Sequence, residues 1–170
     1  MDNLFILRHG SYNTRTGHLY NIGRNNFYIV SNLIKSILKN NSEHIILAPS
    51  LDRTLESAEI LKEVTSNAKI IKMEDLISPE EWEESTDLNK LYMKIQQESN
   101  GVNNVSVIMS GCNNELLPRH LFRNVLGYEK LKFKGDENRV YLGETSCGVH
   151  IDFKSITVEY LIGRNPNEIS

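Results

Sequence analysis

The sequence predicts an α/β fold, a three-layer sandwich in which a mainly parallel central sheet is covered by helices on both faces. Three observations carry that expectation. Four short strand-like runs, residues 3–7, 44–48, 68–73 and 105–109, are spaced along the chain and have the length of strands buried within a sheet. Segments with apolar residues at helical spacing separate or follow them. The first and fourth runs end abruptly in Arg8-His9-Gly10 and Ser110-Gly111-Cys112, as strands do when they deliver small and polar residues to a sheet edge.

The elements follow in order. After the first strand, residues 10–26 have a loop composition of Ser, Asn, Thr, Gly and Arg. Phe27, Val30, Leu33, Ile34, Ile37 and Leu38 then recur with helical period, stopping near Asn40-Asn41. The second strand ends at Pro49-Ser50, where Ser50 is placed to cap a helix running through Leu51, Leu55, Ala58, Ile60 and Leu61. Beyond the third strand, Pro79-Glu80-Glu81 is expected to open a polar helix reaching about Gln97. Leu116, Leu117, His120, Leu121 and Val125 predict a helix after the fourth strand. Three short β pieces, residues 139–142, 148–153 and 156–161, complete the chain.

Bulk properties narrow the function. At 170 residues the chain suits one domain spanning residues 1–170. A formal charge of −3 provides no global basic field, so nucleic acid is not expected as a partner. No apolar run approaches the roughly 20 residues needed to cross a bilayer, and Asp2 stands where a signal peptide wants positive charge. The expectation is a soluble, cytoplasmic protein that does not engage membranes. Cys112 and Cys147 show neither CxxC spacing nor a disulfide-dense pattern, which predicts thiols.

In an α/β sheet, ligands bind beyond the carboxyl ends of the strands, so Arg8-His9-Gly10 is the first place to look. Arg8 offers a planar fork of donors to phosphate oxygens, neutral His9 can attack phosphorus, and Gly10 allows close backbone approach. Arg53 lies in the first turn of the second helix, where backbone N–H groups also favour an anion. From spacing alone the commoner role for such a residue is a solvated arginine paired with Asp52 or Glu56.

Together these segments resemble the histidine phosphatase superfamily, which includes phosphoglycerate mutases and small SixA-type phosphohistidine phosphatases. Leu7-Arg8-His9-Gly10 matches the LRHG signature, and Gly23-Arg24 before the first apolar helix is similar to the family's LTxxGRxQA stretch. Pro49-Ser50-Leu51-Asp52-Arg53 through Leu61 resembles SPLxRAxQTAEIL, with the proline one residue early. The resemblance covers most of the chain. It implies a phosphoglycerate-mutase-like sandwich, a phosphohistidine formed on His9, phosphoryl oxygens held by Arg8 and Arg53, and no metal or cofactor. The implied ligand is a phosphorylated small molecule or a phosphoprotein.

One position departs. Where the family reads VGHNPEL, this chain has Ser110-Gly111-Cys112-Asn113-Asn114-Glu115-Leu116, so Cys112 takes the place of a second phosphate-binding histidine. A thiol is ordinarily neutral near pH 7 and offers no cationic hydrogen bond, and losing one such donor commonly costs about 10²–10³ in rate. His120 sits about two turns, roughly 12 Å, along the helix from Cys112. His150 lies in an alternating strand with a cross-strand role, so neither histidine is expected to replace the missing one. The family's acid for the leaving group follows the third strand, where Glu74, Asp75, Glu80, Glu81, Glu83 and Glu84 are all candidates.

The expectation is a metal-independent phosphomonoester or phosphohistidine hydrolase, slowed by Cys112. The alternative is an impaired pseudo-phosphatase that keeps the pocket to bind a phosphorylated ligand. An unrelated α/β domain carrying a chance RHG would leave His9 far from Arg53.

Overall fold

A computed structural model describes residues 1–39, 42–77, 87–110, 113–125, 127 and 146–162. Strands β1 (Asn3–Arg8), β2 (His44–Ala48), β3 (Ala68–Lys72) and β4 (Asn104–Met109) are joined by helices α1 (Asn21–Ile37), α2 (Asp52–Thr65) and α3 (Leu88–Ser99). Helix α4 (Asn113–His120) continues into a π-helical turn, Leu121–Val125, and strands β5 (Cys147–Asp152) and β6 (Thr157–Ile162) follow. Among the described residues the sheet has six strands in the order β3-β2-β4-β1-β5-β6. The pairings β2–β3, β2–β4 and β1–β4 are parallel, whereas β5 runs antiparallel to both β1 and β6. The predicted mainly parallel sandwich is the observed one.

Alternation along the strands builds both covering layers. Leu4, Ile6, Leu47, Val105 and Val107 face α3 and α4 through Leu91, Ile95 and Leu117. Phe5, Leu7, Ile46 and Ile108 face α1 and α2 through Phe27, Val30, Ile34, Ala58 and Leu61. Every residue of β4 is buried; Val105, Val107 and Met109 are apolar on one face, and on the other the polar Asn104 and Ser106 are hydrogen-bonded, to the Glu43 carbonyl and to His44.

Several local expectations change. Helix α1 starts at Asn21, inside the stretch read as loop, because Gly23 packs its backbone against Ser11: a Cβ on Gly23 would lie 2.2 Å from the Ser11 carbonyl oxygen. Leu33, counted with the apolar stripe, is instead exposed. Ser50 does not cap α2; the N-cap is Leu51, without a side-chain cap bond, and the Ser50 N–H donates to the Glu74 carboxylate. Helix α3 begins at Leu88 with Asp87 as N-cap, its carboxylate accepting from the Lys90 N–H at 3.1 Å. The start expected at Pro79 and the β piece at 139–142 lie outside the described residues. Cys147 is buried at the start of β5.

Candidate active site

The carboxyl ends of β1, β2 and β4 meet the first turn of α2. Parallel pairing sets Arg8 beside Met109, so His9 and Ser110, one residue further on, emerge together at the sheet edge. Arg53 reaches in from α2: its Nε–H donates to His9 Nε2 at 3.2 Å, and its Nη2 donates to Ser110 Oγ at 2.9 Å. His9 and Arg53 are therefore neighbours across 44 positions of sequence, and the reading of an unrelated domain fails. Arg53 does not pair with Glu56, whose carboxylate is taken by His18, the Leu19 N–H and Arg24.

The protonation of His9 follows from its partners. Nδ1 lies 2.8 Å from the Gly10 carbonyl oxygen, which only accepts, so Nδ1 carries the proton and Nε2 presents its lone pair. The Arg53 Nε–H on Nε2 requires the same tautomer. Burial lowers the His9 pKa to about 4; the Gly10 carbonyl opposes this, and the charges of Arg53 and then Arg8 add to the lowering. His9 is a neutral imidazole near pH 7, the state a nucleophile requires.

Aromatic packing completes the pocket. The Arg53 guanidinium lies 4.5 Å from the Tyr12 ring centroid, and the His9 ring meets Tyr12 edge-on at 5.1 Å. Tyr12 is held by an antiparallel bridge to Leu19, in a loop that turns at Gly17, whose φ is +80°. Gly10 is also fixed by packing. Its N–H donates to Ser57 Oγ, and an added Cβ would lie 2.7 Å from the Gly23 carbonyl oxygen.

The remaining candidates divide. Arg8 ends β1 and acts on His9 through its charge. Glu74 binds the Ser50 N–H ahead of α2, while Asp75 pairs with Lys94 at 2.6 Å. Cys112, Glu80, Glu81, Glu83 and Glu84 lie outside the described residues. His120 bonds Asn89 and Asn124, and His150 stacks on Phe5 and bonds Asn3, so both are engaged elsewhere. Tyr12 and Ser110 were not singled out from sequence. Ser110 had a signal, a hydroxyl one residue past an apolar strand; Tyr12 had none, since a loop tyrosine shows its orientation only in the fold. Among the described residues, no cluster of three or more His, Cys, Asp or Glu could hold a metal ion, and no helix is long and apolar enough to cross a membrane.

A histidine and an arginine are thus in contact at the carboxyl edge of a mainly parallel sheet. The fold that carries them is phosphoglycerate-mutase-like, shared with SixA-type and sugar phosphatases. A candidate phosphohistidine phosphatase SixA from Agrobacterium tumefaciens superimposes with a TM-score of 0.63 at 13% identity, covering 94% of this chain and 97% of that one. Phosphoglycerate mutase from Plasmodium falciparum gives 0.52 at 17% identity, covering 99% and 96%. Mycobacterial glucosyl-3-phosphoglycerate phosphatase, in complex with VO3, gives 0.55 at 12% identity, covering 94% and 97%. No protein-family profile matches the sequence, and no curated protein matches it.

Proposed function

We propose that this protein is a metal-independent phosphomonoester or phosphohistidine hydrolase that works through a phosphohistidine on His9. The observation that carries the reading is the contact of Arg53 Nε with His9 Nε2 at 3.2 Å while Nδ1 is fixed on the Gly10 carbonyl. The lone pair of the nucleophile is thus held by the same guanidinium that would take the phosphoryl oxygens. An incoming phosphoryl group draws the Arg53 N–H donors onto its oxygens, where charge-assisted bonds are stronger than one to a neutral imidazole. Nε2 is then uncovered for attack. The N–P bond to His9 forms as the bond from phosphorus to the leaving group breaks, P–O in a phosphomonoester or P–N in a phosphohistidine, and the leaving atom takes up a proton from solvent, which the water of the second step returns. Water then attacks phosphorus, the N–P bond breaks, and inorganic phosphate leaves with Nε2 restored. Arg8 and Arg53 offset the negative charge that grows on the phosphoryl oxygens.

A phosphorylated small molecule or a phosphoprotein is the substrate class that this reading implies. A second reading rests on Cys112 in the sequence: a pocket that binds a phosphorylated ligand without turning it over. Hydrolysis of p-nitrophenyl phosphate in chelator separates the two. On the first reading wild type turns over, His9→Ala is inactive, and Cys112→His gains up to about 10²–10³-fold. A wild type that binds vanadate yet shows no turnover, with activity appearing in Cys112→His, would establish the second.

A further inference from the structure

Ser110 has a hydrogen to give. It follows β4 with only 8% of its surface exposed, and its backbone is held by a parallel bridge to Ile77. Its Oγ accepts from Arg53 Nη2 at 2.9 Å. A guanidinium only donates, so the Ser110 hydrogen is directed away from Arg53, and among the described residues the hydroxyl donates to no acceptor. A buried donor left unused is costly unless a ligand takes it up.

We propose that Ser110 is a phosphate-binding residue: its oxygen holds Arg53 in place while its hydrogen is donated to a phosphoryl oxygen. This rests on the phosphate-pocket reading above. The geometry favours it because one guanidinium links the two groups. Arg53 donates to the His9 nitrogen that attacks phosphorus and to the Ser110 oxygen, so an anion seated on Arg53 beside His9 is also beside Ser110. An O–H donor to an anionic oxygen makes a short, strong bond, and it lies two residues upstream of the position where Cys112 offers no cationic donor. The strand end would then supply a neutral donor of its own.

The test is calorimetric titration of inorganic phosphate into wild type, Ser110→Ala, Ser110→Thr, Arg53→Lys and the Arg53→Lys/Ser110→Ala double variant, with folding checked by circular dichroism. The expected result is a loss of about 10–100-fold in phosphate affinity for Ser110→Ala, most of it recovered in Ser110→Thr. The loss should persist in the Arg53→Lys background, which separates a direct contact from an effect exerted only through Arg53. Wild-type affinity in Ser110→Ala would overturn the assignment, as would equal losses in the Ala and Thr variants, or a Ser110→Ala effect that vanishes with Arg53→Lys. Wild type that does not bind phosphate at all would overturn the pocket reading itself and Ser110 with it.

Discussion

His9 shows how three neighbours set one residue's chemistry. The Gly10 carbonyl chooses the tautomer, Arg53 and Arg8 discourage a second proton, and burial, the largest cause, brings the pKa to about 4. The His9 ring, followed by NMR, should therefore titrate near pH 4 and stay neutral at the ordinary histidine value of 6.5. In Arg53→Gln the midpoint should rise, because a positive charge is removed, yet remain below 6.5, because burial persists. A midpoint near 6.5 in wild type, or one unmoved by Arg53→Gln, would contradict this account. Local pattern placed Arg8 and His9 at a strand end and Arg53 in a helix first turn, whereas grouping the three rested on the family resemblance. Tyr12 and Ser110 were not legible from sequence, since each acquires its role from Arg53, a residue 57 positions away in the case of Ser110.

At the scale of elements, the site depends on how closely α1 approaches the loop after β1. Gly23 is helical, and replacing a helical glycine with alanine ordinarily gains about 1 kcal/mol. Here an added Cβ would lie 2.2 Å from the Ser11 carbonyl oxygen and 2.7 Å from its nitrogen, both backbone atoms that cannot swing aside. Gly23→Ala should instead lose about 1–3 kcal/mol in urea unfolding, the usual range for overpacking; a gain would show that the helix and loop are not in register as described. The same contact explains why α1 begins at Asn21 although its first residues lack an apolar stripe: tertiary packing overrides weak local preference. Helix α2 starts without a side-chain cap; the Thr54 and Leu55 N–H groups both donate to the Leu51 carbonyl, and Glu74 takes the Ser50 N–H just ahead of the helix.

Across the whole molecule, buried histidines couple folding to pH. His44, the first residue of β2, is fully buried and bonded to Ser106 at 2.8 Å, and burial lowers its pKa to about 4, as it does for His9. Both bind a proton in the unfolded chain below 6.5 and in the folded protein only near 4, so the unfolded state holds more protons throughout that window. Stability should therefore fall on acidification from pH 6.5 to about 4, each histidine contributing a slope of about 1.4 kcal/mol per pH unit. His120 and His150, also lowered by burial, act in the same direction. Urea unfolding across that range should show a shallower slope in His44→Gln; an unchanged slope would mean that His44 does not stay neutral in the folded state. The sequence by itself determined the strands β1, β2 and β4, the layers that cover them and the edge where chemistry collects, because alternation, helical period and strand-end residues are written within a few positions of one another. Only the tertiary structure decided which donors meet on His9, where α1 begins and what Ser110 faces. Those outcomes depend on contacts between residues tens of positions apart, whose approach is set by packing of the whole sheet and which no local pattern encodes.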